Sequence, residues 1–315
     1  MLKKIIACTA IYYPGSALLS LRGNSYDDSG ITQDLKRRPI MWNKFFIITF
    51  LVFSVIQGCS NKGTLQEFSD SELLGDLCQI SLSCDNLEES LSFYQKLHFS
   101  ILTIHTEATV PWALISDGTQ LYMLSEHDFP SPSLTFYGPS LPERIKKFRE
   151  SGIKFEPIYN QKKQMTSAVL TQPAELNVTL INYDSDLISK PQKHSEFFLG
   201  SFDQIRIPTR DITQSGVFWK KLGFTVQDNE GIVTEVTYVH HTGLQLGFFP
   251  DSLSRKPVII YKSYINSIDS LAGKIRNTNL DFEMLNLADQ RGIKIESPDQ
   301  QLFFIFSPKP ESTGS

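Results

Sequence analysis

Hydrophobic residues recur along this chain with two different periods, and the two periods alternate in a regular order. The segment "CQISLSC" (78–84) alternates apolar and polar residues, which is typical of a half-buried strand. The following "LEESLSFYQKL" places Leu87, Leu91 and Tyr94 on one face of an amphipathic helix. Three short strand patterns come next, and then a strand, a helix and three more strands. Residues 77–182 therefore predict two consecutive βαβββ modules.

The same order of patterns returns after 125 residues (from 86 to 211). The segments "NLEESLSFYQKLHF" (86–99) and "DITQSGVFWKKLGF" (211–224) share an acid or amide, a pair of aromatic residues and a Leu-x-Phe ending. A self-match at one fixed offset indicates duplication. We therefore expect an α+β protein with two homologous domains, residues 77–182 and 201–307.

A short apolar run precedes the first domain. The segment "MWNKFFIITFLVFSVIQGCSN" (41–61) contains an apolar stretch from Phe45 to Ile56. At 12 residues this stretch is too short to span a bilayer, which needs about 20, and it suits the core of a signal peptide. It ends in "VIQGC", which resembles a bacterial lipobox whose cysteine, Cys59, becomes the lipidated N-terminus after cleavage. We therefore expect a lipoprotein-type signal peptide at residues 41–58.

Polar segments delimit the remaining parts of the chain. We expect a polar tether at residues 59–76, an interdomain linker at 183–200 and a short tail at 308–315. A signal peptide lies at the start of a protein, but here 40 residues precede Met41. We therefore expect either an additional leader at residues 1–40 or a true translation start at Met41. The lipid anchor predicts a protein of the cell envelope. In Gram-negative bacteria an Asp after the lipidated cysteine is the usual signal for retention in the inner membrane. Since Ser60 follows Cys59 here, we expect the outer membrane, facing the periplasm, if the host has one.

Composition narrows the choice of partners. A net charge of −4 provides no basic surface of the kind that nucleic-acid binding requires. The 22 Phe and 11 Tyr residues are enough to fill sizeable cores or to line apolar pockets. Cys78 and Cys84 would lie roughly 20 Å apart on an extended strand, which is too far for a disulfide.

The duplicated unit resembles the vicinal-oxygen-chelate superfamily, which includes glyoxalase I, fosfomycin-resistance proteins, bleomycin-binding proteins and extradiol dioxygenases. The positions that carry the resemblance are Asn86, Leu87, Ser90, Phe93, Tyr94, Leu97 and Phe99, and their counterparts Asp211, Ile212, Ser215, Phe218, Trp219, Leu222 and Phe224. The resemblance implies that the two modules of each domain form one curled mixed sheet, an open cup with helices outside. It also implies that metal-dependent members hold a divalent cation inside the cup, with His, Gln or Glu side chains at four strand positions.

Those four positions are occupied here by residues that are poor metal ligands. In the two domains in turn they are Gln79 and Gln204, Gln120 and Gln245, Ser133 and Val258, and Thr179 and Phe304. An amide oxygen is a weak ligand, because zinc and iron prefer imidazole or anionic donors. The fourth position is also the general base of glyoxalase chemistry, which Thr179 and Phe304 cannot supply. We therefore expect no catalytic metal and no other cofactor.

Paired glutamines and nearby aromatic residues indicate a different use of the cups. The amides that can orient a polar ligand by hydrogen bonds are Gln79, Gln120, Gln204 and Gln245. The aromatic residues that can supply apolar walls are Trp112, Tyr122, Tyr238 and Phe248. We predict that the protein binds a small molecule or a partner without metal catalysis.

Two other functions remain open from the sequence. The first is a metal-dependent glyoxalase, fosfomycin-type transferase or extradiol dioxygenase with atypical ligands, for which a divalent metal would be the cofactor. The second is a structural or interaction module that binds no small molecule. In each case the two domains can pair within one chain or between the chains of a homodimer.

Overall fold

The computed structural model describes residues 72–171, 175–183, 197–227, 236–240, 242–250, 255–264, 267–287 and 290–307. All of these residues belong to one compact unit. The expected leader, the signal peptide with Cys59, the tail and most of the linker lie outside the described residues. Within the described ranges, no helix combines the length and the apolar character that crossing a membrane requires.

The first eight strands form one mixed sheet. They are β1 (Leu77–Ser83), β2 (Ser100–His105), β3 (Trp112–Ser116), β4 (Leu121–Ser125), β5 (Ser133–Gly138), β6 (Phe155–Tyr159), β7 (Met165–Leu170) and β8 (Val178–Asn182). Their order across the sheet is β2-β3-β4-β1-β5-β8-β7-β6, so the two βαβββ modules meet where β1 pairs with β5. The helices of these modules are α1 (Leu87–Lys96) and α2 (Leu141–Glu150).

The second sheet repeats this topology. Its strands are β9 (Ser201–Thr209), β10 (Thr225–Gln227), β11 (Val236–Val239), β12 (Gln245–Pro250), β13 (Val258–Lys262), β14 (Glu283–Asn286), β15 (Arg291–Glu296) and β16 (Leu302–Phe306). Their order is β10-β11-β12-β9-β13-β16-β15-β14, and the helices are α3 (Ile212–Lys221) and α4 (Ile268–Arg276). The predicted α+β class, with tandem βαβββ modules in two mixed sheets, is confirmed.

Local sequence signals begin and end the repeated helix. Asn86 accepts a hydrogen bond from the backbone N–H of Glu89 at the start of α1, and Asp211 caps α3 in the same way. Just after α1, His98 has a φ of 64°, where the second domain has Gly223 with a φ of 91°. His98 therefore occupies a left-handed position at which glycine is the usual residue.

Each sheet has two chemically different faces. One face carries aliphatic and aromatic side chains that are buried in a common core with the helices. Representative members are Ile80, Leu82, Phe136 and Leu180 in the first sheet and Ile205, Ile207, Ile259 and Phe303 in the second. The opposite face of each sheet lines the cup, and its residues follow from strand alternation.

Aromatic contacts join the cores of the two sheets. The ring of Phe303 on β16 lies 6.0 Å from that of Tyr94 and 6.5 Å from that of Phe93, both on α1. In the opposite direction, Phe136 on β5 lies 5.2 Å from the ring of His240, which follows β11. The first module of each domain therefore packs on the second module of the other.

Candidate ligand-binding cups

Four neighbouring strands place one residue each in a row across the first cup. Gln79 on β1 pairs with Leu121 on β4 and with Thr135 on β5, and Thr135 pairs with Thr179 on β8. Directly paired residues point to the same face of a sheet. The row across this cup is therefore Leu121, Gln79, Thr135 and Thr179.

Side chains of the first cup hydrogen-bond to one another. The Tyr137 hydroxyl donates to Oε1 of Gln79 over 2.8 Å, and Nε2 of Gln79 donates to Oγ of Ser81 over 3.3 Å. Oγ of Ser81 lies 3.1 Å from Oγ1 of Thr135. Burial raises the pKa of Tyr137, so this phenol is a neutral hydrogen-bond donor at ordinary pH. Since Gln79 is only 3% exposed, its amide serves the floor of the cup and not solvent.

The corresponding row of the second cup has a different chemistry and is partly exposed. Gln204 on β9 pairs with Ile260 on β13, and Ile260 pairs with Phe304 on β16. Gln245 precedes by one residue the first β12 residue that pairs with β9, so alternation places its side chain on the face of Gln204. The row is therefore Gln245, Gln204, Ile260 and Phe304. Gln204, Gln245 and Phe304 are all partly exposed.

Arg206 extends the polar surface of the second cup by two residues along β9. Its guanidinium carbon lies 4.6 Å from the centre of the Phe249 ring, which is a cation–π contact. Gly247 pairs with Arg206, and a β-carbon at Gly247 would lie 2.4 Å from Oε1 of Gln204. The glycine therefore leaves the space that the Gln204 amide occupies. An amide, a guanidinium and an aromatic ring together line this cup.

The structure does not bring Gln120 into the first row. This residue precedes β4, where its N–H donates to Oδ1 of Asp117 over 2.7 Å and its carbonyl accepts from Oγ of Ser116 over 2.9 Å. Leu121 takes the place beside Gln79. The second domain differs by one residue here, because Gln245 itself occupies that place. The offset between the domains is therefore 124 in this strand (245 minus 121).

The four aromatic candidates are divided between the two faces. Trp112 lies on the cup face, since it pairs with Ser125 of β4, and its ring stacks on that of His105 at 4.4 Å. The other three lie in the core on the opposite face: Tyr122, Tyr238 and Phe248. Those three rings therefore stabilise the domains and do not line a cup.

Neither row fits a divalent metal. The two rows supply amides, one pair of hydroxyls and apolar groups, with no imidazole or carboxylate. Among the residues that the structure describes, no group of three or more His, Cys, Asp or Glu side chains is placed to hold a metal ion. Amide oxygens alone do not offset the dehydration of a divalent ion. The rows also lack a base that could accept a proton near neutral pH.

Sequence reasoning missed three residues of the cups, namely Tyr137, Arg206 and Phe249. Alternation along β9 could have indicated Arg206, which is two residues from Gln204 on the same face. Tyr137 and Phe249 lie on neighbouring strands, and they reach the glutamine and the arginine only through strand pairing and side-chain contact.

Comparisons with known proteins identify the fold. No protein-family profile matches the chain, and no curated protein sequence matches it at a significant level. Among solved structures, a catechol 2,3-dioxygenase is similar, with 14% identity, a TM-score of 0.51, and coverage of 76% of this chain and 90% of that chain. A mutant homoprotocatechuate 2,3-dioxygenase from Brevibacterium fuscum is similar at 13% identity, with a TM-score of 0.51 and coverage of 76% and 72%. Another variant of that enzyme, in complex with HPCA, shows 14% identity, a TM-score of 0.50 and coverage of 74% and 70%.

These neighbours share the tandem arrangement of two curled mixed sheets. At 13–14% identity the likeness shows the fold and not the activity. The protein therefore has the tandem vicinal-oxygen-chelate fold, and its function has to be argued from its own cups.

Proposed function

We propose that this protein binds a small organic molecule in the cup of its second domain and does so without metal catalysis. The observation that carries the proposal is the row of Gln245, Gln204, Ile260 and Phe304, in which every residue except Ile260 is partly exposed, with Arg206 beside it. Convergent polar groups among apolar walls are the usual composition of a small-molecule site.

The contrast between the two cups supports the choice of the second domain. In the first cup, Gln79 is buried and hydrogen-bonded to Tyr137 and to Ser81, and Ser81 in turn is hydrogen-bonded to Thr135. In the second cup, the glutamine of the same position is partly exposed. A ligand in the first cup would have to displace an existing network, whereas three of the four row residues of the second cup are partly open to solvent.

The side chains of the second cup favour a ligand with one polar end and one apolar face. The amide of Gln204 can donate and accept, and Arg206 donates to oxygen acceptors. Phe304 supplies partly exposed apolar surface, whereas the Phe249 ring is buried against the Arg206 guanidinium. The polar end of the ligand would lie over β9 and β12, and its apolar face would lie against Phe304.

A pair of glycine substitutions tests this proposal. Gly247→Ala places a β-carbon against the flexible end of Gln204, so it displaces the amide without disturbing the backbone. Gly273→Ala on α4 is the matched control, because a β-carbon there meets nothing within 4 Å. A panel of small polar and amphipathic molecules would be screened by ligand-induced thermal stabilisation. We expect hits with the parent and with the control, and roughly tenfold weaker binding with Gly247→Ala. Equal affinity in all three proteins would refute a site at Gln204.

A metal-dependent dioxygenase is the second candidate function, because the structural neighbours include a catechol 2,3-dioxygenase and a homoprotocatechuate 2,3-dioxygenase. The donor set of the two rows opposes it. Protein purified from medium containing iron, manganese, zinc and nickel would be assayed for bound metal. About one tightly held ion per domain, lost on Gln79→Ala or Gln204→Ala, would favour the enzyme over the binding protein.

We also propose that the protein is anchored at the cell envelope through a lipid on Cys59. The apolar run at 45–56 and the "VIQGC" sequence support this proposal. Stable anchoring requires more than one acyl chain, as a lipidated N-terminal cysteine can provide. Cys59→Ala should move the protein from the membrane fraction to the soluble fraction, whereas Cys8→Ala should not. Retention of the Cys59→Ala protein in the membrane would show that residues 45–56 act as an uncleaved anchor.

A further inference from the structure

Two loops at equivalent places of the duplicated domains each carry a carboxylate into the other domain. Glu175 lies just before β8 of the first domain, and Asp299 lies just before β16 of the second. Both side chains reach the start of the first helix of the opposite domain, α3 in one case and α1 in the other.

Asp299 contacts the beginning of α1. Its Oδ1 accepts from the backbone N–H of Asp85 over 3.0 Å, and its Oδ2 accepts from Oγ of Ser90 over 2.5 Å. The N–H of Leu87 is already bound by Glu126 of the same domain, at 2.9 Å. A carboxylate is favoured here, because unpaired N–H groups and the helix dipole leave partial positive charge at a helix start.

Glu175 makes the reciprocal contacts in the second domain. Its Oε1 accepts from the hydroxyls of Ser215 and Thr209, and its Oε2 accepts from Nε1 of Trp219 over 3.1 Å. Trp219 is fully buried, so its indole N–H depends on a protein acceptor. Ser90 and Ser215 are 125 residues apart, which makes the two contacts equivalent in the duplicated fold.

Each carboxylate is also close in sequence to the last residue of its own row. Glu175 precedes Thr179 by four residues (179 minus 175), and Asp299 precedes Phe304 by five (304 minus 299). The contacts therefore connect the fourth strand of each row with the first helix of the other domain. Hydrogen bonds to charged acceptors are stronger than neutral ones, which makes these contacts a strong link between the two halves.

We propose that Glu175 and Asp299 form a reciprocal clasp that couples the two domains, so that they open and unfold as one cooperative unit. In this structure the clasp joins the two domains of one polypeptide. Neither cup is then an independent module, and the proposal stands whether or not the second cup binds a ligand.

Denaturation of the full chain with two probes tests the clasp. Trp42→Phe with Trp112→Phe leaves Trp219 as the single tryptophan of the three, so fluorescence reports the second domain. Far-ultraviolet circular dichroism reports both domains. In this background we expect coincident urea transitions, the mark of a two-state unit. With Glu175→Ala and Asp299→Ala together, the two transitions should separate, and each single change should lower the melting temperature by about 5 °C.

The matched control removes two exposed carboxylates, through Glu150→Ala and Asp281→Ala. It should leave the transitions coincident and the melting temperature within about 1 °C of the parent. If the double alanine variant does not fold, Glu175→Gln with Asp299→Asn keeps the side-chain shape and answers the same question. Coincident transitions at the control's midpoint in the clasp variant, or separate transitions in the parent, would overturn the proposal.

Discussion

At the scale of single residues, two buried tyrosine hydroxyls and one aspartate form a hydrogen-bonded contact between the domains. Tyr122 and Tyr261 come from different domains, and their hydroxyl oxygens lie 2.7 Å apart. Oδ2 of Asp117 accepts from both, at 3.2 Å and 2.5 Å. Desolvation, and next the charge of Asp117, raise the pKa of both phenols well above the ordinary value of 10.0. The two tyrosines are therefore neutral donors that hold the domains together through one carboxylate.

These phenols predict the behaviour of the protein at alkaline pH. An acid whose pKa is raised by folding stays protonated in the native state, while the unfolded chain loses the proton above about pH 10. The unfolded state then binds fewer protons, so stability is retained below this pH and falls as the pH rises above it. We expect the buried tyrosines to ionise only when the protein unfolds. Their ionisation, followed by near-ultraviolet absorbance, should therefore coincide with the loss of the circular dichroism signal.

Two substitutions distinguish the titration of buried tyrosines from that of exposed tyrosines. Tyr261→Phe removes a buried phenol and should reduce the late, cooperative part of the absorbance change. Tyr159→Phe removes a phenol that is 55% exposed and should reduce the early part instead. Ionisation of all eleven tyrosines while the fold persists would contradict the predicted burial.

Arg144 is a second residue whose role is set by burial. It is fully buried on α2, and its Nη atoms donate to the carbonyls of Leu74 at 2.7 Å, Gly138 at 2.8 Å and Ile181 at 3.1 Å. Desolvation lowers the pKa of the guanidinium to about 10, against an opposing effect of Asp76, so it remains charged at neutral pH. The side chain connects the lead-in to β1 with the ends of β5 and β8.

Removal of this guanidinium should be strongly destabilising. Arg144→Met keeps much of the side-chain volume but leaves buried carbonyls without donors, at a cost on the order of 3 kcal/mol. Arg149→Met, on the exposed side of the same helix, should change the free energy of unfolding by less than about 0.5 kcal/mol. Urea denaturation of both variants measures the difference, and equal stabilities would contradict a structural role for Arg144.

At the scale of single strands, register decides which side chains enter a cup. Strands β4 and β12 are equivalent, but their registers differ by one residue relative to the 125-residue repeat. Leu121 of β4 and Gln245 of β12 therefore occupy the same place in the two rows. A shift of one residue moves a side chain to the other face of a sheet. Gln120 and Gln245 therefore have different environments, although the sequences around them look alike.

This difference predicts where a metal site can be built. Gln245→Glu with Phe304→Glu adds two carboxylates to the row that contains Gln204, so it should create affinity for Mn²⁺ or Zn²⁺ that the parent lacks. Gln120→Glu with Thr179→Glu adds the same charge in the first domain, but one of its carboxylates is outside the row. Titration calorimetry should show at least about tenfold weaker binding for this control. Equal affinity of the two variants would mean that the register assignment does not describe the protein in solution.

At the scale of the whole molecule, the two halves are linked by contacts that run in both directions. The cores meet through Phe303 and Tyr94 and through Phe136 and His240. The clasp residues and the Asp117 network add polar contacts at the same boundary. The domains should therefore stay together even when the chain between them is cut.

Limited proteolysis tests this expectation. The polar segment at 183–200 is the predicted linker, so cleavage there should yield two resistant fragments of similar size on a denaturing gel. Under native conditions the fragments should co-elute in gel filtration as one particle. Fragments that separate would contradict the coupling of the domains, and cleavage inside either domain would contradict the predicted domain boundaries.

The amino-acid sequence by itself determined the strands and helices, their duplication, and the absence of His and carboxylate side chains from the four predicted ligand positions of each domain. Periodicity identifies strands and helices because side chains alternate every two residues in one and recur every 3.6 in the other. The helix caps Asn86 and Asp211 are recognised from neighbouring residues. Gln79 and Gln204 are recognised in the same way, since each lies seven residues before the cap of its domain. Each of these features depends on residues close together in the chain, which a sequence pattern can record.

Only the tertiary structure decided which faces those residues share. Tyr122, Tyr238 and Phe248 are aromatic residues of the type that lines pockets, but strand pairing orients their side chains toward the hydrophobic core. Glu175 and Asp299 appear in the sequence as ordinary loop carboxylates, and their partners are 34 to 214 residues away. The physical reason is that strand pairing and domain docking are long-range choices: a hydrogen-bond register or a helix start in the other domain selects the environment, and no local pattern encodes that selection.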